Sequence, residues 1–146
     1  AALRLASSGR GARSARLESE LELEPVVHEL LERYGPVLEE LRGVGDVEVL
    51  HSFSMTPAAE ELYRVLVSYG RRARLTPHYH MPSGAELCLA LYTTAEEHTI
   101  REKVVAAARR CRRVLHIGVG TDPVTAPIYV LILVRHLELE LAGAKA

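Results

Sequence analysis

The sequence has few cysteines, few aromatic residues and almost no net charge. Its two cysteines, Cys88 and Cys111, do not suggest a disulfide framework, so a reducing compartment is favoured. The longest apolar run, Ala126–Val134, is too short to span a bilayer. A net charge of −1 provides no overall attraction for nucleic acid. These shortages argue against a secreted disulfide scaffold, a membrane-spanning chain and a strongly basic nucleic-acid-binding protein.

The chain does contain enough apolar residues for a single folded core. Hydrophobic residues make up 48% of its 146 residues and charged residues 25%, as is usual for a globular domain. Residues 1–16 carry four arginines and no acid, a composition typical of an organellar transit peptide, although a disordered basic tail is the alternative. We therefore expect a basic, then acidic, tail over residues 1–24 and one α+β domain over 25–146. A mitochondrial or plastid location is favoured over a cytoplasmic one.

Prolines, glycines and periodicity predict the elements of the first half of the domain. A helix is expected from Glu24, broken at Pro36 and followed by a short second helix to Leu41. Residues 47–53 alternate as a strand, and Thr56-Pro57 begins a helix with one apolar stripe.

Residues 74–92 are predicted to form a β-hairpin with its turn at Pro82-Ser83-Gly84. Pro77 cannot donate to a strand ladder, which places the first hairpin strand at a sheet edge. The second strand directs Leu87, Leu89 and Leu91 towards the core by its period of two.

The remaining elements complete the pattern β-α-β-β-α-β. A capping box at residues 94–97 opens a helix, residues 114–119 form a strand, and residues 128–141 read as further strand, with a helix as the alternative. This order predicts a ferredoxin-like α+β sandwich, in which two helices cover one face of an antiparallel sheet of strand order 4-1-3-2. The N-terminal helices and the C-terminal strand are additions to that core.

The predicted hairpin assembles the first candidate site. In the assumed register His80 opposes Glu86 and His78 opposes Cys88, and these four residue types are ligands that zinc accepts. The same register allows a thiolate–imidazole pair between Cys88 and His78. The plain alternative is that these side chains have no chemical role and that no cofactor binds. His51, which alternates with apolar residues, is interpreted as a hydrogen-bonded core histidine.

A cluster of arginines forms the second candidate site, because parallel helices would bring two groups together at one edge. The cluster is predicted to bind an anionic or acidic partner and comprises Arg71, Arg72, Arg74, Arg109, Arg110, Arg112 and Arg113. RNA is one such partner, although the sheet lacks the aromatic residues that an RNA-recognition sheet uses for stacking. Pairing with the acidic segment Glu18–Glu40 is the alternative.

Between Phe53 and Arg113 the layout resembles that of pterin-4a-carbinolamine dehydratases. Residues 78–82, His-Tyr-His-Met-Pro, lie where the family has His-His-Pro, and residues 91–94, Leu-Tyr-Thr-Thr, lie where it has Leu-x-Thr-His. Only His78 matches an active-site histidine, since Tyr79 and Thr94 replace the other two. The resemblance implies a related fold that has lost dehydratase activity, with His78 as the remaining catalytic candidate.

The favoured function is therefore a non-catalytic binding or assembly subunit of a larger complex, in an organelle, with other protein subunits or a second copy as partner. Whether the chain is an enzyme stays open, with the balance towards not. One alternative is a small enzyme that uses the hairpin histidines, as a dehydratase or with a metal. The other is an RNA-associated protein of ribosomal type that binds through its arginines.

Overall fold

The computed structural model describes residues 23–145, so the transit-peptide-like segment 1–16 lies outside the described residues and almost all of the predicted 1–24 tail does too. The helices are α1 (Leu23–Gly43), α2 (Thr56–Ser68), α3 (Glu97–Arg110) and α4 (Ala126–Lys145), and the strands are β1 (Asp46–His51), β2 (Arg72–Pro77), β3 (Leu87–Thr93) and β4 (Arg113–Val119). Short 3₁₀ turns at Phe53–Met55 and Thr94–Glu96 precede α2 and α3.

The four strands form one sheet in the order β2-β1-β3-β4, and every neighbouring pair is parallel. His51 at the end of β1 pairs with Pro77 in β2 on one side and with Leu91 in β3 on the other. The predicted antiparallel ferredoxin-like sandwich is therefore wrong, and nothing in this α/β architecture supports the pterin-dehydratase-like scaffold. The edge position predicted for the Pro77 strand is confirmed, since β2 is the first strand in the order.

The connection between β2 and β3, residues 78–86, contains no helix, which is why the sequence reads as a hairpin. Because the strands are parallel, this segment must return from the carboxyl end of β2 to the amino end of β3. Extended chain covers about 3.3 Å per residue, so the segment can span roughly 30 Å, and a strand of this length needs roughly 20 Å. We call residues 78–86 the crossover segment; it passes over the β1 carboxylate of Glu48, to which Ser83 and Gly84 N–H donate at 3.0 and 2.8 Å.

Helices cover both faces of the sheet. Leu87, Leu89 and Leu91 point into the larger core beneath α1, α2 and α4, whereas Cys88 and Ala90 face α3 in a smaller core. The alternation predicted for β3 is confirmed, but the prediction that the helices share one face is wrong. Helices on both faces are the usual arrangement of a parallel sheet, because both faces of its strands must be covered.

Helix α1 runs through Pro36 without the predicted break. Proline removes one backbone hydrogen bond and crowds the preceding turn, which favours interruption in an isolated helix. Here Leu30, Tyr34, Leu38 and Leu41 recur at helical spacing and are all buried in the larger core. Tertiary packing of that stripe offsets the local cost, as it does for most helices in proteins.

The C-terminal segment is helix α4, so the prediction of a strand there is wrong. Leu133, Leu137 and Leu141 recur at every fourth residue and are buried, whereas Leu139 is 57% exposed. The alternation of leucine with charged residues over a few positions fits a strand as well as a helix, and only the longer spacing separates the two. None of the helices within residues 23–145 is long and apolar enough to cross a membrane.

Candidate functional site

The order of the strands places the topological switch point of the sheet between β1 and β3 at their carboxyl ends, where open parallel sheets commonly form a crevice. From β1 the chain passes through α2 to β2 on one side, and from β3 it passes through α3 to β4 on the other. The two connections therefore diverge, and this divergence is the usual position of ligand sites in open parallel sheets. We call this place the switch-point crevice; its walls are the β1–α2 and β3–α3 connections.

Hydrogen-bond donors from both connections converge on one carboxylate in the switch-point crevice. Ser52 Oγ and Thr93 Oγ1 each donate to Glu96 Oε1 at 2.9 Å, and both serine and threonine are fully buried. Ser54 donates twice, from its hydroxyl to Glu96 Oε1 and from its backbone N–H to Oε2 at 3.2 Å. Three hydroxyls and one amide thus form a cradle around an anion that the chain itself supplies.

Local sequence explains why these groups meet. Ser52 directly follows β1 and its N–H still donates to the Leu91 carbonyl at 3.0 Å, so the sheet pairing fixes its position. Thr93 is the last residue of β3. Both connections then turn through 3₁₀ segments into α2 and α3, whose amino termini carry partial positive charge towards the crevice.

The cradle keeps Glu96 ionised. Burial on its own would raise the pKa of Glu96, but the donors from Ser54, Ser52 and Thr93 together lower that pKa below its usual value. Hydrogen bonds to the charged form favour ionisation in this way. At neutral pH the cradle therefore holds a carboxylate anion, which shows that the site is chemically suited to negative charge.

Two histidines lie at the carboxyl ends of β1 and β2. His51 is buried, with Nδ1 3.0 Å from the Ser52 carbonyl, which confirms its interpretation as a hydrogen-bonded core residue. Burial lowers the pKa of His51, and the charge of nearby His78 lowers it further, against the opposing effect of the Ser52 carbonyl. His78, the catalytic candidate, begins the crossover segment, and its Nδ1 is buried with no hydrogen-bond partner among residues 23–145.

The structure does not bring together the four predicted zinc ligands. His78 and His80 follow the carboxyl end of β2, where both rings contact Tyr79 edge-on. Cys88 is near the amino end of β3, with β1 between it and β2, and Glu86 is exposed beside it. The assumed hairpin register is wrong, and Cys88 is instead bonded to Cys111 in a disulfide, contrary to the expectation of free thiols.

The structure assembles the predicted arginine cluster only in part, since Arg74 and Arg110 both bond to the crossover segment whereas others lie at opposite edges of the sheet. Arg72 begins β2 and Arg113 begins β4, so two strands lie between them. Four of the seven arginines already have partners: Arg71 donates to the Arg42 carbonyl, Arg74 to the Gly84 carbonyl, Arg110 to the Pro82 carbonyl, and Arg113 pairs with Glu40. The last contact is of the kind expected from the alternative, in which the arginines pair with the acidic segment. Anion binding by this cluster, including RNA binding, stays a prediction.

The sequence reasoning missed the switch-point crevice altogether. Ser52, Ser54 and Thr93 are ordinary polar residues at the ends of strands or just beyond them. The sequence presents Glu96 only as part of a capping box. The available signal was that one hydroxyl residue, Thr93, ends a buried strand and another, Ser52, directly follows one. That signal becomes informative only when the strands are known to be parallel, since only then do both carboxyl ends meet at one edge.

Comparisons with known proteins give a likeness of fold. No protein-family model matches the chain, and no curated protein matches it. Among solved structures, E. coli CFT073 c3406, in complex with a sugar phosphate, superposes with a TM-score of 0.54 at 14% sequence identity. The match covers 83% of this chain and 84% of c3406. The chain therefore shares its overall fold with c3406.

Proposed function

We propose that this chain is a binding protein for small phosphorylated ligands, and that the switch-point crevice holds the ligand's phosphate. The observation that carries the proposal is the convergence of four donors from Ser52, Ser54 and Thr93 on one carboxylate. The position at the topological switch point supports it. So does the shared fold with c3406, whose bound ligand is a sugar phosphate.

A phosphate would replace the Glu96 carboxylate in the cradle. Both groups are oxyanions that accept several hydrogen bonds, and both benefit from the amino termini of α2 and α3. Ligand binding then requires the Glu96 side chain to leave, because the same donors cannot serve two anions. Glu96 is half-buried and lies on a 3₁₀ turn, so its side chain has a route to solvent.

Competition by Glu96 determines how the proposal is tested. Removing a donor weakens the cradle for phosphate and for Glu96 alike, so single donor variants of the natural chain would give cancelling effects. In the Glu96→Ala variant the cradle is empty, and we expect inorganic phosphate and ribose 5-phosphate to bind more tightly than to the natural chain. In that background Ser54→Ala should weaken phosphate binding by about tenfold, the value of a charge-assisted hydrogen bond.

Isothermal titration calorimetry measures these affinities, with ribose as the uncharged comparison ligand. Ser68→Ala in the same Glu96→Ala background is the matched control. The Ser68 hydroxyl donates to the Arg64 carbonyl on the exposed face of α2 and takes no part in the cradle. Phosphate binding that is absent from the Glu96→Ala variant would contradict the proposal. Equal binding by the Ser54→Ala and Ser68→Ala variants would contradict it as well.

A role in assembly is a second candidate, and one face of the molecule favours it. Among the described helices only α3 covers the second face of the sheet, where Val105 is 54% exposed. Beside it a small apolar recess is lined by Tyr92, Ile100 and His116, among others. Exposed apolar surface of this kind often contacts another protein.

We expect the full chain to elute from gel filtration as an oligomer or to co-purify with another protein, and Val105→Glu to abolish that association. A chain that remains a monomer and recovers alone from a cell lysate would contradict the assembly role. Non-catalytic function and an organellar location stay predictions alongside it.

A further inference from the structure

A second cluster of chemically active side chains lies on the α3 face of the sheet, away from the switch-point crevice. Glu48 in β1 and Cys88 in β3 are register neighbours, and Cys111 directly follows α3. One carboxylate oxygen and the two sulfur atoms all lie within 4.8 Å of one another. Glu48 and Cys88 are fully buried, and Cys111 is 9% exposed. We call these three residues the Glu48 cluster.

The buried carboxylate of the Glu48 cluster is held by hydrogen bonds and has only a distant, half-exposed cationic neighbour among the described residues. The carboxylate accepts hydrogen bonds from Thr76 Oγ1 at 2.5 Å and from the Ser83 and Gly84 amides. Within the described part of the chain its cationic neighbour is Arg74, whose Nη2 lies 3.9 Å away and whose side chain is half-exposed. A buried carboxylate is costly unless it is paired with a cation or coordinates a metal.

We propose that the Glu48 cluster becomes a binding site for a thiophilic divalent cation, Zn²⁺ above all, when the Cys88–Cys111 disulfide is reduced. A carboxylate and two thiolates are zinc ligands, and a water molecule would complete the tetrahedron. Two sulfur atoms bound to one zinc lie about 3.8 Å apart, given Zn–S bonds of about 2.3 Å. In the oxidised chain the two sulfurs are bonded to each other, and one Glu48 oxygen lies within 4.8 Å of both. After reduction the sulfurs must move apart by side-chain rotation to take a metal ion between them and the carboxylate.

The change from disulfide to metal site takes two steps, reduction of the disulfide and then binding of the metal ion. A dithiol reductant attacks the Cys88–Cys111 bond through its thiolate, and the reductant ends as a disulfide while both cysteines end as thiols. Zn²⁺ then replaces the two thiol protons, which pass to solvent, and binds both thiolates and the Glu48 carboxylate. The oxidised and the metal-bound forms exclude each other, because a disulfide sulfur offers no thiolate.

The disulfide in one form and the metal ion in the other would each link the end of α3 to β3, next to the crossover segment. The crossover segment reaches Glu48 through Ser83 and Gly84, and it reaches α3 where Arg110 Nη1 donates to the Pro82 carbonyl at 2.5 Å. Loss of the disulfide removes the covalent link between the end of α3 and β3. A bound metal would restore that link through different bonds.

The test is a titration of the reduced full chain with Co²⁺, followed by displacement with Zn²⁺. We expect one Co²⁺ per reduced chain, with the near-ultraviolet charge-transfer band of cobalt–thiolate bonds, and no such band from the oxidised chain. Cys111→Ser should weaken binding by at least about a hundredfold, since even outer partners of metal ligands are worth 10–100-fold. Zn²⁺ should also raise the midpoint of thermal unfolding of the reduced chain.

The matched control is the double variant His78→Ala and His80→Ala, which removes the imidazoles predicted from the sequence and leaves the Glu48 cluster intact. It should bind Co²⁺ as the natural chain does. A reduced natural chain that binds no Co²⁺, a Cys111→Ser variant that binds as tightly as the natural chain, or a control that loses binding would each overturn the proposal. Glu48→Gln should also weaken Co²⁺ binding. If the Glu48→Gln variant does not fold, the affinity of the Cys111→Ser variant alone tests the proposal.

Discussion

Replacing Glu48 by alanine is expected to lower the free energy of unfolding by about 4 kcal/mol. The substitution removes the acceptor for Thr76 Oγ1 and for the Ser83 and Gly84 amides. A buried donor left without its partner costs about 1–3 kcal/mol, and three are affected, although solvent can reach the amides. The crossover segment would also lose its attachment to β1. Urea denaturation of the oxidised chain, followed by circular dichroism, measures the change.

The control for this experiment is Glu86→Ala, which removes an exposed glutamate at the end of the same crossover segment. A surface substitution of this kind should change the free energy of unfolding by no more than about 0.5 kcal/mol. The interpretation of Glu48 as the anchor of the crossover segment would be refuted by equal effects of the two substitutions. The double variant Glu48→Leu and Thr76→Val should lose less free energy of unfolding than Glu48→Leu alone. In the double variant the Thr76 hydroxyl is removed together with its acceptor, so it is not left buried without a partner.

Reduction of the Cys88–Cys111 disulfide is expected to lower the free energy of unfolding by about 3 kcal/mol, given the loop that it closes. The two cysteines are separated by 23 positions in the sequence. Cutting the bond gives the unfolded chain more conformations and so favours unfolding. Urea denaturation with and without a reductant, in the presence of a chelator that removes metal ions, measures the difference.

The double variant Cys88→Ala and Cys111→Ala provides the control, because it cannot form the bond. Its unfolding midpoint should not respond to the reductant. A natural chain whose midpoint is the same with and without reductant would show that the disulfide does not contribute to stability. The same denaturation experiment on the reduced natural chain, with Zn²⁺ added and without chelator, measures whether metal binding stabilises the proposed site.

The carboxylates of Glu96 and Glu48 are held in the same way at two places in the fold. In each, backbone amides and hydroxyls from separate segments converge on one carboxylate. At Glu48 the result is structural, because the residue is fully buried and holds the crossover segment across the sheet. At Glu96 the carboxylate is half-buried at the position where parallel sheets bind ligands, which is why we infer that a phosphate displaces it.

Much of the secondary structure was predictable from the sequence. The strands at residues 47–53 and 114–119, the helix that begins at Thr56 and the alternation of β3 follow from periodicities and turn residues within single segments. The edge position of Pro77 follows from its missing N–H, which is a property of one residue. Errors arose where tertiary contacts outweigh local preference, as at Pro36, or where a short alternation fits two periods, as in α4.

Strand direction and both candidate sites were decided only by the tertiary structure. A connection as short as residues 78–86 usually joins antiparallel strands, but here it crosses to a parallel strand and bonds to Glu48, 35 positions before Ser83 in the chain. The observed strand order separates His78 from Cys88, which instead meets Cys111, and the parallel direction of β3 places Thr93 beside Ser52. Periodicity reports which face a side chain occupies, but which strands are neighbours depends on hydrogen bonds between distant segments, and no local pattern encodes them.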